Sequence, residues 1–317
     1  MTIPNGLCGA LSAVLLAVAP GAAVAQAPAA PSARTAPAQD AELQTAIAKS
    51  NAYTALMNRT LRAIQSWERY GSWVDLKKGP TGKERYIGYG LYSLYDVTGE
   101  IRKAEEFLTR EPKLPAIDAS VAAYIKAYQE LAPLITRAER YYDRKDYRDD
   151  NLAEGQKLHG LMVPAAQSFL AERARLDALM RDYKKGLDQR ELASVEQREG
   201  RSARWQIRNV MINARSVMDQ MPSNEKPIVD LKAFNATVAD YAAAIRELDA
   251  FKDKNPGTSL MIDSQAGSWL GKLRDFSDKL AKSKGDVRRG AANDANWIVN
   301  NYNMMVSLSE TAARMPR

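Results

Sequence analysis

One segment of the sequence, residues 141–159, brings together acidic side chains, tyrosines and the only histidine, His159. We call it the polar corner. Its acids are Asp143, Asp146, Asp149, Asp150 and Glu154. Carboxylate oxygens are the ligands that calcium prefers, and an imidazole beside a carboxylate can act as an acid or a base. However, the spacing matches no standard calcium loop, and no serine or cysteine nucleophile is arranged with the histidine. We therefore assign no metal site and no catalytic residue.

Two interpretations of the polar corner remain open. In the first, it is a ligand pocket whose binding residues are Tyr142, Lys145, Asp146, Tyr147, Asp149, Asp150 and His159. In the second, which the pattern favours, it is structural: Asp149, Asp150 and Asn151 precede an apolar helical stripe and would cap its exposed N–H groups, with Asn151 as the cap residue. The tyrosines would then cover the turn.

Aromatic residues at a spacing of three form the second candidate site. Tyr86, Tyr89, Tyr92 and Tyr95 follow this step, as do Trp67, Tyr70 and Trp73. In a helix a step of three drifts around the axis, so the four tyrosines could not share one core face. An aromatic-lined groove for a glycan or another flat ligand is one interpretation, with Trp73, Tyr86 and Tyr89 as binding residues. A helix–helix seam is the other, and Gly88 and Gly90 favour it.

A basic helix face is the third candidate. Arg201, Arg204, Arg208 and Arg215 lie along one side of a predicted helix, and the chain has a net charge of +7. Such a face could dock on anionic lipid head groups or wall polymer. A solvated surface is the more common meaning of this pattern.

Composition excludes several classes of function. The chain of 317 residues contains one cysteine and one histidine. A disulfide framework, a zinc site and most transition-metal chemistry are therefore excluded. We find no phosphate loop, dinucleotide fingerprint, nucleophile elbow or zincin motif. The sequence thus predicts no cofactor and favours a non-enzymatic protein.

The N-terminus has the features of a targeting segment. Residues 7–24 are nearly all apolar or small and end in Ala23-Val24-Ala25, which is typical of a signal peptide cleaved after Ala25. Residues 26–40 are rich in Ala, Pro and Ser and are predicted to be a flexible linker. Cys8 precedes the apolar stretch instead of following it, so a lipid anchor is not supported. We expect an exported, periplasmic protein that does not span the membrane after cleavage and has no nucleic-acid partner.

The remaining residues, 41–317, have helical periodicity throughout. The pattern predicts helices over residues 41–74 and 81–110, the second beginning at a Thr81–Glu84 capping box. A third helix should bury one face between Val121 and Tyr142 and kink at Pro133. Further apolar stripes follow up to Val306. We predict an all-α fold, an elongated antiparallel helical bundle of long amphipathic helices.

Two motifs carry a resemblance to a known family. They are GPTGKERYIGYGLYSLYD at residues 79–96, and YYDRKDYRDDN at residues 141–151 followed by Gly155, Lys157 and His159. Together they resemble the YiiG-like family of bacterial envelope lipoproteins, a domain-of-unknown-function family, over residues 51–305. The resemblance implies an all-helical cell-envelope protein and supplies no activity. The missing lipid-attachment site departs from the family pattern.

Long amphipathic helices provide extended surfaces, and the sequence offers little chemistry. The leading hypothesis is therefore an exported, non-enzymatic binding or scaffold protein of the bacterial cell envelope. An envelope protein, an anionic lipid surface or a glycan would be its partner. The alternative is a small-ligand or glycan sensor, or an enzyme, that uses the polar corner.

Overall fold

The computed structural model of the protein describes residues 36–222, 227–258 and 260–314. The predicted signal peptide and residues 26–35 of the predicted linker lie outside them. The helices are α1 (Ala36–Arg59), α2 (Leu61–Gly71), α3 (Thr98–Leu108), α4 (Pro115–Arg144), α5 (Ala153–Glu199), α6 (Ala203–Met218), α7 (Leu231–Lys254), α8 (Asp263–Lys282) and α9 (Ala292–Arg314). In the described ranges β-pairing is limited to one isolated bridge between Ile228 and Asp286. The predicted all-α fold is confirmed.

The longest helices, α4 and α5, pack against each other in the N-terminal half of the chain. The predicted buried face of α4 is confirmed: Val121, Tyr124, Ile125, Tyr128, Leu131, Ile135, Ala138 and Tyr142 are all buried. Phe169 of α5 stacks on the Tyr124 ring, with ring centroids 5.2 Å apart. At 1.5 Å per residue, the 47 residues of α5 extend about 70 Å. Helix α5 is therefore the longest of the described helices.

The buried apolar residues form two main cores, one in each half of the chain. The first lies among α1–α5 and spans residues from Ala52 to Met180. The second lies among α6–α9 and spans residues from Val210 to Met305. The C-terminal part of α5 continues beyond the first core, and there Asp188 accepts hydrogen bonds from Arg208 and Arg215 of α6. These ion pairs join the two halves. None of the described helices is both long enough and apolar enough to cross a membrane.

The linker prediction needs a correction at its C-terminal end. Residues 36–40 belong to α1. Asp40 accepts hydrogen bonds from Ser194 (2.7 Å) and Arg198 (2.6 Å) of α5. These contacts hold the start of α1 against α5, and composition alone does not reveal them.

The predicted first helix, residues 41–74, is divided in two, and the prediction of a second helix over residues 81–110 is mostly wrong. Helix α1 ends at Arg59 and α2 ends at Gly71. Of the predicted 81–110 helix, only residues 98–108 are α-helical. Ile87–Tyr89 form a short 3-10 turn instead. Gly79, Gly82 and Gly90 have positive φ values, which interrupt a right-handed helix. The Thr81–Glu84 pair does form, with Thr81 N donating to Glu84 Oε1 (2.6 Å), but it closes a turn.

Candidate functional site

Residues 86–96, which we call the tyrosine segment, run across one face of α1 and α2. Arg59, Arg62, Ser66 and Arg69 lie on this face at steps of three and four, and Trp73 follows the end of α2. Each donates a side-chain hydrogen bond to a backbone carbonyl of the segment. The pairs are Arg59 Nε to Asp96 (3.2 Å), Arg62 Nε to Ser93 (3.2 Å), Ser66 Oγ to Tyr92 (3.0 Å), Arg69 Nε to Tyr89 (2.7 Å) and Trp73 Nε1 to Gly90 (2.9 Å). Five carbonyls of the segment are therefore satisfied by these side chains and not by an α-helix.

The same arginines hold the tyrosine rings. Arg62 lies 4.0 Å from the ring centroid of Tyr92, Arg69 lies 4.2 Å from it, and Arg59 lies 4.6 Å from that of Tyr95. Cation–π contacts of this kind contribute about 0.5–1 kcal/mol each at exposed sites. The tyrosines at a spacing of three therefore belong to a segment that is not α-helical, and three of their rings lie beside guanidinium groups of α1 and α2.

An open groove of about 820 Å³ lies between α2 and the tyrosine segment. Its lining residues are Arg62, Gln65, Glu68, Arg69, Ser72, Tyr89 and Tyr92. We call it the arginine–tyrosine groove. Tyr89 is 51% exposed and stacks on Tyr86, with ring centroids 5.0 Å apart and planes 18° apart. Of the predicted binding residues, Tyr89 therefore lines the groove, and Tyr86 packs against it.

Trp73, the third aromatic candidate, is buried with Tyr142 beneath the tyrosine segment, and the half-buried His159 lies close by. The Trp73 and Tyr142 rings meet edge to face at 5.0 Å. The Tyr70 hydroxyl lies 2.9 Å from His159 Nδ1, at hydrogen-bonding distance. Burial lowers the pKa of His159, although a hydrogen bond to the Leu76 backbone and the charge of Asp75 oppose this effect. A half-buried imidazole at hydrogen-bonding distance from a buried tyrosine is well suited to a structural role.

In the polar corner, Asp150 caps α5. Its carboxylate accepts hydrogen bonds from Tyr141 OH (2.8 Å), Leu152 N (2.9 Å) and Glu154 N (2.9 Å). The bond from the Glu154 backbone, with smaller contributions from Tyr141 and Leu152, holds the pKa of Asp150 below its usual value despite some burial. Asn151, the predicted cap, instead adopts a left-handed conformation with a φ of 51°. That prediction was one residue too late.

The other candidate residues of the corner, between Lys145 and Asp149, lie in the connection between α4 and α5. Lys145 ends α4 in a left-handed conformation (φ 64°) and is exposed, as is Asp149. Asp146 begins a short 3-10 turn, and the Tyr147 ring packs 6.2 Å from that of Tyr142. Over the described ranges no group of three His, Cys, Asp or Glu side chains is placed to hold a metal ion.

The four arginines of the basic face are paired within the chain. Arg201 contacts Glu196 (2.8 Å) and Glu247, and Arg204 contacts Glu199 (3.3 Å). Arg208 and Arg215 both contact Asp188, at 2.9 Å and 2.5 Å. Much of their positive charge is therefore matched by carboxylates of neighbouring helices.

Sequence reasoning missed the arginines of α1 and α2 that position the tyrosines. Arg59, Arg62 and Arg69 fall on one helical face, and that spacing was the available signal. It was hidden because residues 81–97 were interpreted as a helix, which would not lie along α2 in this way.

Fold and site together define an all-α protein of long packed helices with an exposed arginine–tyrosine groove. Residues 44–307 match the model of a family described as a protein of unknown function, DUF3829. The chain belongs to this family. It is 27% identical over 259 residues to the uncharacterized protein YiiG of Escherichia coli (strain K12), a match that covers 79% of this chain and 72% of that protein. These matches confirm the YiiG-like resemblance. No solved structure matches the chain significantly.

Proposed function

We propose that the protein is an exported, non-enzymatic helical binding protein of the bacterial cell envelope, and that it binds glycan in the arginine–tyrosine groove. The observation that carries the proposal is the exposed Tyr89 ring, fixed beside an open groove of about 820 Å³.

The chemistry of the groove suits a sugar chain. A tyrosine ring offers a flat apolar face for the C–H side of a sugar at low entropic cost. Gln65, Glu68 and Ser72 line the same groove and supply amide, carboxylate and hydroxyl groups for sugar hydroxyls. Arg69 donates to the Tyr89 carbonyl at 2.7 Å, so the ring-bearing backbone is held before a ligand arrives. Preorganisation of this kind lowers the cost of binding.

The groove is a better candidate than the polar corner. The carboxylate of Asp150 already receives three hydrogen bonds from the chain itself. His159 is engaged with Tyr70 beneath the tyrosine segment. Neither group is therefore presented to a ligand in the way that Tyr89 is.

Binding is tested with Tyr89→Ala and a matched control, Tyr95→Ala. The two tyrosines are almost equally exposed, at 51% and 50%, and both lie close to an arginine, but only Tyr89 lines the groove. We expect the wild-type protein to sediment with purified peptidoglycan and to bind chitotetraose in a calorimeter. Tyr89→Ala should weaken both by about threefold to tenfold, in line with the loss of one aromatic contact, and Tyr95→Ala should not. Equal binding by all three proteins, or no binding by any, contradicts the glycan assignment.

Export is tested separately by mass spectrometry of the protein recovered from a periplasmic fraction. We expect a mature chain that begins at Gln26 and carries no lipid. Recovery of an intact Met1 terminus from the cytoplasm would refute the export proposal and leave the glycan experiment unaffected.

A further inference from the structure

A second cavity lies at the junction of the two halves, among α1, α5, α6 and α9. Its volume is about 480 Å³, which is within the usual range for small-molecule sites. Met180 and Ile212 contribute apolar surface to its wall, and Arg215 and Tyr302 line it on the side of α6 and α9. We call it the junction pocket.

The junction pocket contains more positive charge than the described carboxylates neutralise. Among its acids, Asp177 pairs with Arg173 and Asp188 pairs with Arg215. Arg181, Lys184 and Lys185 also line the pocket, and within the described residues none of these three has a carboxylate within ion-pair distance. Asp219 is the remaining acid of the described lining. Three unpaired cations thus face one unpaired carboxylate.

The helix geometry explains why these charges meet. Residues 177, 181, 184 and 188 recur at steps of three and four, so they lie on one face of α5, and this face points towards α6. Burial and repulsion from Arg215 lower the pKa of Lys184, while three neighbouring acids oppose the effect. An anion in the pocket would offset both effects by stabilising the charged form of Lys184.

We propose that the junction pocket binds a ligand that carries a phosphate group on a small apolar body. A phosphate monoester carries a charge of about −1.5 to −2 at pH 7, which matches the unpaired charge of the pocket. Lysine and arginine side chains donate charge-assisted hydrogen bonds to phosphate oxygens. The apolar wall around Met180 and Ile212 would hold the remainder of the ligand. This site is separate from the arginine–tyrosine groove and does not depend on its function.

The test is calorimetric titration of the full mature chain with phenyl phosphate at constant ionic strength, beside flotation with phosphatidylglycerol–phosphatidylcholine vesicles. Lys184→Gln should weaken binding by about tenfold, as expected for the loss of one charge-assisted contact. Asp219→Asn should strengthen it several-fold because it removes the opposing carboxylate. A folding defect would weaken binding in both variants, so opposite effects cannot arise from misfolding. Arg175→Gln, at an exposed position on another face of α5, is the matched control and should leave binding unchanged.

Each outcome decides the proposal. Phenyl phosphate binding with the expected variant pattern supports a soluble phosphate ester as the ligand. The same pattern with vesicles alone supports a phospholipid head group. Binding that does not respond to Lys184→Gln and Asp219→Asn, or no binding in either arm, overturns the proposal. Tyr89→Ala should bind phenyl phosphate normally, which separates this result from the glycan test.

Discussion

Replacement of Ser66 by alanine tests how the tyrosine segment is held against α2. Ser66 is fully buried, and its hydroxyl both donates to the Tyr92 carbonyl and accepts from the Tyr92 N–H, each at 3.0 Å. Ser66→Ala removes both bonds and offers the Tyr92 backbone no replacement within the protein. The substitution changes the side-chain volume only slightly, so the change in stability reports on the loss of these two hydrogen bonds.

The expected loss follows from the position of Tyr92. An unsatisfied buried backbone group costs about 1–3 kcal/mol. Because Tyr92 is half-buried, water can partly replace the hydroxyl, and we expect a total near 2 kcal/mol for the two groups. For a folding unit of 150–250 residues this corresponds to a fall in melting temperature of about 4–8 °C.

The measurement combines thermal unfolding with hydrogen exchange of the peptide that covers residues 86–96. Ser66→Ala should lower the melting temperature and speed exchange in this peptide. Ser93→Ala is the control, since it removes only an exposed bond to Glu139 (2.8 Å) and should change stability by less than about 0.5 kcal/mol. If Ser66→Ala melts and exchanges like the wild-type protein, Ser66 does not anchor the segment.

Three further predictions concern the interior of the first half. The pKa of His159 lies below its ordinary value of 6.5 in the folded protein, so the unfolded chain binds this proton more readily, and the free energy of unfolding should fall as pH decreases through 6.5. Urea titrations at several pH values should show a smaller decrease for His159→Gln than for the wild-type protein. An equal dependence of the free energy of unfolding on pH in both proteins would contradict this. Lys49 is fully buried, and its ammonium group lies 2.9 Å from the Asp118 carboxylate. Lys49→Met should lower the free energy of unfolding by about 3 kcal/mol, because it leaves that carboxylate without its cation. Unchanged stability in chemical denaturation would show that the ion pair does not stabilise the fold. Gly79 has a φ of +79°, and a Cβ atom at this position would lie 2.9 Å from His159 Cδ2. Gly79→Ala should therefore lower the free energy of unfolding by about 1–2 kcal/mol in the same assay. Wild-type stability of this variant would mean that the loop adjusts without cost.

Local patterns were sufficient to predict most of the helices. The apolar stripe of α4 predicted its buried face because each helical residue has a fixed angular position, whatever lies opposite. A helix start directly after residues 149–151 was predicted as well, because acids and asparagine are typical of helix N-termini. The identity of the capping residue, Asp150 instead of Asn151, depended on a side-chain orientation that spacing does not specify.

The aromatic candidates divided in a way that the sequence could not indicate. Trp73 and Tyr142 were proposed as ligand contacts and are buried together, whereas Tyr86 and Tyr89 are exposed beside the groove. Their surroundings are set by the path of residues 74–97. That path depends on Arg59, Arg62 and Arg69, which are up to 37 positions distant in sequence from the carbonyls they bond.

The sequence by itself determined the helical character of the chain, the faces that become buried, the resemblance to a family and the scarcity of metal-binding and nucleophilic side chains. These properties follow from residue type and periodicity, which are local. Only the tertiary structure decided that the tyrosine segment is not α-helical. It also decided that Arg181, Lys184 and Lys185 gather in the junction pocket without an ion pair among the described residues. Both features arise from side chains of different helices satisfying or opposing one another across space, and no local pattern encodes those distances.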